Sequence, residues 1–265
     1  MQRMINFDCD GDRLVGTLDY AEGTTGLMIV SGGNEIRSGA YAGQAAMAQH
    51  FATSGCPVFR YDRRGVGDSE GENGGFEASA GDIAAAVTAF RNSAPHMRRL
   101  VAFGNCDAAT AIACFHGGLA IDALVLANPW VIEPADDAGP ASPPAAAIRA
   151  RYLARMKNPR SIIDLLTGKI DLKKLAAGVA KAAQTEAPSG LAIRLCGALE
   201  RVTVPVDILI AERDTTAMAF MAASKSRDTM SGVRIHKTDT ASHSFADAAS
   251  RDWLYRQIQD AMDQT

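Results

Sequence analysis

The run Gly104-Asn105-Cys106-Asp107-Ala108 stands where an apolar strand gives way to an alanine-rich helix, and its Cys106 thiol could attack a carbonyl carbon. Presenting a nucleophile at such a junction takes a very tight turn. Small residues are needed two positions before it and two after, because larger side chains would strike the strand and the helix. Gly104 and Ala108 meet that need. The sulfur would stand near the amino end of the helix, whose partial positive charge attracts an anion. Taken alone, so short a pattern arises by chance and more often marks a buried structural cysteine.

A thiol nucleophile needs a base, and the base needs a carboxylate to orient it. In elbows of this kind both follow the nucleophile, the acid first, each on a loop after a late strand. The apolar run Val206–Ile210 leads into Ala211-Glu212-Arg213-Asp214, and Val233–Lys237 leads into Thr238-Asp239-Thr240-Ala241-Ser242-His243. Asp214 and His243 therefore come in the required order, Asp214 in what reads as a polar loop. Glu212 and Asp239 are the fallback carboxylates. The other histidines are His50 in an amphipathic helix, His96 in a surface-like turn, His116 at a helix end and His236 inside a strand. Packing or surface roles suit those four better.

Stabilising an oxyanion takes two converging backbone N–H donors. Asp107, next after the nucleophile, is expected to supply one. The loop Ser31-Gly32-Gly33-Asn34 is expected to supply the other, with Gly33 favoured because glycine lets the backbone approach a ligand closely. The same glycines also suit an ordinary strand-end turn. Asn34 and Trp130 are candidates to contact substrate, although Trp130 could equally pack beneath a covering segment. Asn105 reads as a residue that fits the strained turn, with a bond to a neighbouring loop as the other reading. Arg64 reads as a tie from its glycine-rich loop to a carboxylate.

These residues need a scaffold, and the chain supplies apolar runs that alternate with helix-like stretches, the pattern of a mostly parallel sheet. Strands are expected at 13–18, 26–30, 57–62, 99–103, 123–127, 206–210 and 233–237, and helices at 44–54, 76–90 and 252–262. One stretch breaks the alternation. Pro134, Pro140, Pro143 and Pro144 exclude a regular helix there, and charged helix-like sequence then runs to about Glu200. We read 131–200 as a helical lid inserted within a single domain spanning 1–265. It would lie over the carboxyl ends of the strands, where open sheets of this type bind ligands.

The segment Tyr61-Asp62-Arg63-Arg64-Gly65-Val66-Gly67-Asp68-Ser69-Glu70-Gly71 resembles the D-x-R-G-x-G-x-S loop of α/β-hydrolases. With the Ser31–Gly33 loop, the elbow, Asn128-Pro129-Trp130, Asp214 and His243, the resemblance spans nearly the whole chain. Through Gly104–Thr110 and Asn128–Val131 it is similar to the exosortase A system-associated hydrolases of the hydrolase 1 type, which carry a Gly-x-Cys-Asp-Ala elbow. The resemblance implies an eight-stranded sheet with helices on both faces. It implies no substrate. The departure from the wider superfamily is cysteine for serine.

Composition narrows the field further. A net charge of −3 and the lack of a long basic run argue against nucleic acid as a partner. No window approaches the roughly 18 unbroken apolar residues of a spanning helix, and Met1–Asp10 has no apolar signal core. The five cysteines are scattered, with no Cys-x-x-Cys pair, which fits a reducing cytoplasm better than a disulfide framework or a zinc site. No metal or organic cofactor is expected.

The expected activity is hydrolysis of an ester, thioester or lactone through Cys106, His243 and Asp214 by way of an acyl-enzyme. An acyltransferase would use the same triad, and a ligand-binding protein could reuse the same pocket. The expected partner is a small acyl substrate. The oligomeric state is left open.

Overall fold

The computed structural model describes residues 1–133, 189–224 and 232–264. Eight strands form one sheet: β1 (Gln2–Cys9), β2 (Asp12–Asp19), β3 (Thr25–Val30), β4 (Val58–Tyr61), β5 (Arg99–Asn105), β6 (Ala123–Ala127), β7 (Val206–Ala211) and β8 (Val233–Thr238). Their order is β1-β2-β4-β3-β5-β6-β7-β8. β2 runs antiparallel to β1 and β4, and every pairing from β4 through β8 is parallel. This is the α/β-hydrolase arrangement expected from the sequence. Six described helices accompany the sheet: α1 (Gly43–Thr53), α2 (Ala80–Ser93), α3 (Asp107–Phe115), α4 (Gly190–Glu200), α5 (Thr215–Ser224) and α6 (Ala248–Asp263).

The central strands read as unbroken apolar runs because both sheet faces are covered. Side chains still alternate between two cores. Met28, Leu100, Ala102, Leu124, Leu126 and Ile208 face α2, α3, α4 and α5. Leu27, Ile29, Val101, Phe103, Val125 and Leu209 face α1 and α6. Parallel pairing sends the carboxyl ends of β3, β5, β6, β7 and β8 to one edge. The loops holding Gly33, Cys106, Trp130, Asp214 and His243 therefore gather there.

Three elements differ from the sequence reading. β1 was not anticipated: its residues are mostly exposed on an edge strand, so burial imposes no strong alternation on them. The helix expected from Phe76 begins as one tight turn over Phe76–Ala78, and α2 proper starts at Ala80. α5 occupies what was read as loop, because Thr215–Ser224 is apolar all round and shows no helical stripe.

Residues 134–188 of the expected lid lie outside the described residues. At one flank, Ser189 caps α4 by accepting the Ala192 N–H at 3.0 Å and donates to the Val131 carbonyl at 2.6 Å. Glu133 accepts the Leu191 N–H at 2.7 Å, so the described residues on either side of 134–188 are tied to each other. Leu195 and Leu199 of α4 enter the same core as α3.

Candidate active site

β5 passes into α3 through Cys106, whose backbone sits at φ 63°, ψ −128°. A non-glycine residue there is strained by roughly 1–3 kcal/mol. Neighbours over-determine it. The Cys106 N–H donates to the Ala127 carbonyl at 3.0 Å, and its carbonyl accepts the Trp130 N–H at 3.2 Å. Ala108 is fully buried, and a Cβ on Gly104 would come within 2.7 Å of Ile112 Cδ1 and 2.9 Å of the Ala108 carbonyl carbon. Gly104→Ala is therefore expected to push α3 off β5 and destabilise the fold by about 1–3 kcal/mol, read as a lower urea midpoint. An unchanged midpoint would mean that the turn tolerates bulk at that position.

Asp214 follows β7 and caps α5: its Oδ2 accepts the Ala217 N–H at 3.0 Å. The same oxygen lies 3.1 Å from His243 Nδ1. An ionised carboxylate only accepts, so that ring nitrogen carries the proton. The cap thus fixes the carboxylate and the carboxylate fixes the ring. Burial alone would raise the Asp214 carboxyl. The bonds from His243 and from the first turn of α5 outweigh it and hold the group below the usual carboxylate range. His243 also lines one cavity with Cys106. Its imidazolium is pushed up to about 10, first by Asp214 and then by Cys106.

Sequence reasoning missed the support behind His243. Its carbonyl accepts from Asn105 Nδ2 at 3.1 Å and from Asn128 Nδ2 at 3.0 Å. Asn128 is fully buried at φ 42°, and its Oδ1 accepts the Ala211 N–H at 2.9 Å. The two asparagines join the ends of β5, β6 and β7 to the histidine loop. Asn105 therefore bonds a neighbouring loop, and the reading as a mere fit to turn strain is corrected. The polar residue closing β6, in Asn128-Pro129, was the available signal.

Gly33, at φ +55°, lies beside Asp107 as the oxyanion reading required, but its N–H is already engaged. It donates to Asp107 Oδ1 at 2.8 Å and Oδ2 at 3.0 Å. Gly32 leaves room for this contact, since a Cβ there would lie 2.5 Å from Asp107 Oδ1. Buried Arg63 donates through Nη2 to the Gly33 carbonyl and stands 4.0 Å from Asp107 Oδ2. The carboxylate of Asp107 thus occupies one of the two expected donors.

The remaining candidates sit apart. Asn34 accepts a bond from Asn73 at 2.9 Å, and neither Asn34 nor Trp130 lines the cavity that opens at Cys106. Trp130 is anchored at the elbow through its backbone, its carbonyl accepting from Thr110 Oγ1 at 2.7 Å. Of the fallback carboxylates, Asp239 pairs with Arg213 at 2.8 Å and Glu212 is exposed. Arg64 ties its loop to Asp82 at 2.6 Å, as read from the sequence. His50 packs on Tyr255, His96 on the Ala21 carbonyl, His116 on Ala113 and His236 on Asp207. Burial pushes the Cys9 thiol up to about 11 and that of Cys56 to about 12, and also raises Cys114. Among the described residues no group of three or more His, Cys, Asp or Glu is placed to hold a metal ion, and no helix is long and apolar enough to cross a membrane.

Residues 24–243 match the model of the Hydrolase_4 family, described as serine aminopeptidase, S33. No curated protein sequence matches the chain. Among solved structures, the fold is similar to the esterase Pf2001 of Pyrococcus furiosus at TM-score 0.63 and 14% identity, covering 99% of this chain and 93% of that one. It is similar to the α/β-hydrolase GrgF of Penicillium sp. sh18 at TM-score 0.63 and 16% identity, covering 100% of both chains. It is also similar to the thioesterase domain from the curacin biosynthetic pathway at TM-score 0.58 and 11% identity, covering 98% and 99%.

Proposed function

Because the chain belongs to the Hydrolase_4 family of α/β-hydrolases, described as serine aminopeptidase, S33, we propose that it hydrolyses activated acyl compounds, esters or thioesters above all, with Cys106 in the nucleophile's place. The observation that carries this reading is one histidine that lines the same cavity as Cys106 and is held through its Nδ1 by Asp214. The Gly-x-Cys-Asp-Ala elbow shared with the exosortase A system-associated hydrolases supports cysteine in that role. An esterase and a thioesterase domain of the same fold support the acyl chemistry.

Cys106 attacks the acyl carbon as a thiolate, its proton held on His243. A carbon–sulfur bond forms while the carbonyl π pair moves onto oxygen. The Asp107 N–H, at the start of α3, stabilises that oxyanion, and the Gly33 N–H joins it once the Asp107 carboxylate yields. The adduct collapses, the bond to the leaving group breaks, and His243 supplies the departing group's proton. Neutral His243 then takes a proton from water as the water attacks the thioester. Sulfur is expelled and the acid leaves.

Thiolate is itself a good leaving group, so a poor substrate leaving group lets the first adduct fall back. Amides should be poor substrates. Acid quench during turnover of a p-nitrophenyl ester is expected to leave the acyl group on the Cys106 peptide, with p-nitroanilides inert. An acyl group on another residue, or no hydrolysis above the uncatalysed rate, would overturn the proposal.

The raised His243 group also links stability to pH. The folded chain binds this proton more tightly than the unfolded chain, whose histidine titrates near 6.5. The stabilisation is complete below that pH and is lost as pH climbs through about 10. Urea midpoints of the wild type should fall across this window relative to those of His243→Asn. Parallel curves would contradict the assigned pairing.

A further inference from the structure

A cavity of about 380 Å³ opens at Cys106 and His243 and runs between α1 and α6, on the sheet face opposite α3. We propose that this cavity is the acyl-binding subsite and that it takes an uncharged, apolar acyl group of short to medium length. The proposal rests on Cys106 being the nucleophile.

The walls favour such a group. Met47, Phe103, Phe245 and Leu254 line the cavity and are themselves buried, with Tyr255 beside them. Among the described residues, the buried side-chain polar atoms without a partner belong to Tyr61, Arg63 and Arg99, none of which lines the cavity. The fully buried part of its wall thus offers no unmet donor or acceptor to a polar chain. Against those buried apolar side chains, desolvating a charged chain would go uncompensated.

Two of the polar lining residues already have partners. Gln44 bonds Ser31 at 2.8 Å and Glu35 at 3.3 Å, while Arg251 lies 3.8 Å from Asp252. At the share of a water molecule in the liquid, roughly 30 Å³, the volume admits an acyl group of about a dozen heavy atoms.

Chemistry selects the acyl part over the leaving group. The leaving group must depart and let water take its place beside His243 while the acyl group stays on sulfur. A leaving group lodged in the cavity would have the acyl-cysteine standing at the mouth through which it must exit. The acyl chain, by contrast, remains tethered at that mouth through both half-reactions.

The cavity's width follows from small residues at and just before the start of α1: Ala40, Gly43 and Ala46 all line it. A Cβ built on Gly43 meets no atom within 4 Å. Filling this wall or deepening the floor at Met47 should therefore move the chain-length limit in opposite directions.

The test uses the full chain and p-nitrophenyl esters from acetate to decanoate, so that only the acyl group varies. For Ala46→Phe, the ratio of kcat/KM on octanoate to that on acetate is expected to fall by at least about tenfold. For Met47→Ala, the optimum is expected to move to longer chains. An unchanged chain-length profile in both variants, with hydrolysis still lost in Cys106→Ala, would overturn the subsite and leave Cys106 in place. Hydrolysis across the series that persists in Cys106→Ala would overturn the underlying reading and the subsite with it.

Discussion

Cys106→Ala is expected to lower turnover of a p-nitrophenyl ester by more than about 10³-fold while the protein stays folded. In the proposed mechanism the Cys106 sulfur is the protein atom that bonds the acyl carbon. Without it, His243 can still activate water and the elbow N–H can still face an oxyanion, which accounts for the residual rate. The fold should survive for a specific reason. What holds the strained residue are its own N–H, bonded to Ala127, and its carbonyl, bonded to Trp130, and alanine keeps both. The half-buried thiol contributes little packing. Kinetics with circular dichroism on the same sample would check this, and a folded variant with wild-type turnover would remove Cys106 from the mechanism.

Asp214→Asn is expected to lower kcat by about 10²–10⁴-fold, with a stability loss below about 1 kcal/mol. The carboxylate has two tasks that this substitution separates. Asparagine is a good helix cap and can still accept the Ala217 N–H, so α5 keeps its start. It has no charge to hold the His243 proton, and the imidazolium, now pushed up to about 10 chiefly by Asp214, should titrate lower. Asp214→Ala loses the cap as well, and about 1 kcal/mol more stability with it. Kinetics, urea denaturation and NMR titration of His243 together would check the separation. Wild-type kcat in Asp214→Asn would mean that another group orients the ring.

The sheet was legible in the sequence because β3, β5, β6 and β7 are buried on both faces and so had to be apolar runs between turns. The order of Cys106, Asp214 and His243 along the chain was legible because parallel strands bring their carboxyl ends to one edge. Burial explains what was missed as well. β1 is an exposed edge, and α5 is apolar all round, so neither imprints a period. The Asn128 bridge and the bond from Gly33 to Asp107 are contacts across 115 and 74 positions of chain, which no local pattern encodes. Reading Gly33 as an oxyanion donor identified a true neighbour of the elbow. It could not foresee that the Asp107 side chain reaches the N–H first.

The central claim is that Cys106 is the reacting thiol, and graded alkylation tests it most directly. With iodoacetamide in small increments, esterase activity and peptide masses would be followed on the same samples. Burial pushes the thiols of Cys9, Cys56 and Cys114 up, which should keep them slow. The account predicts that activity disappears in one-to-one proportion with alkylation of Cys106. Full activity with Cys106 quantitatively alkylated would contradict it.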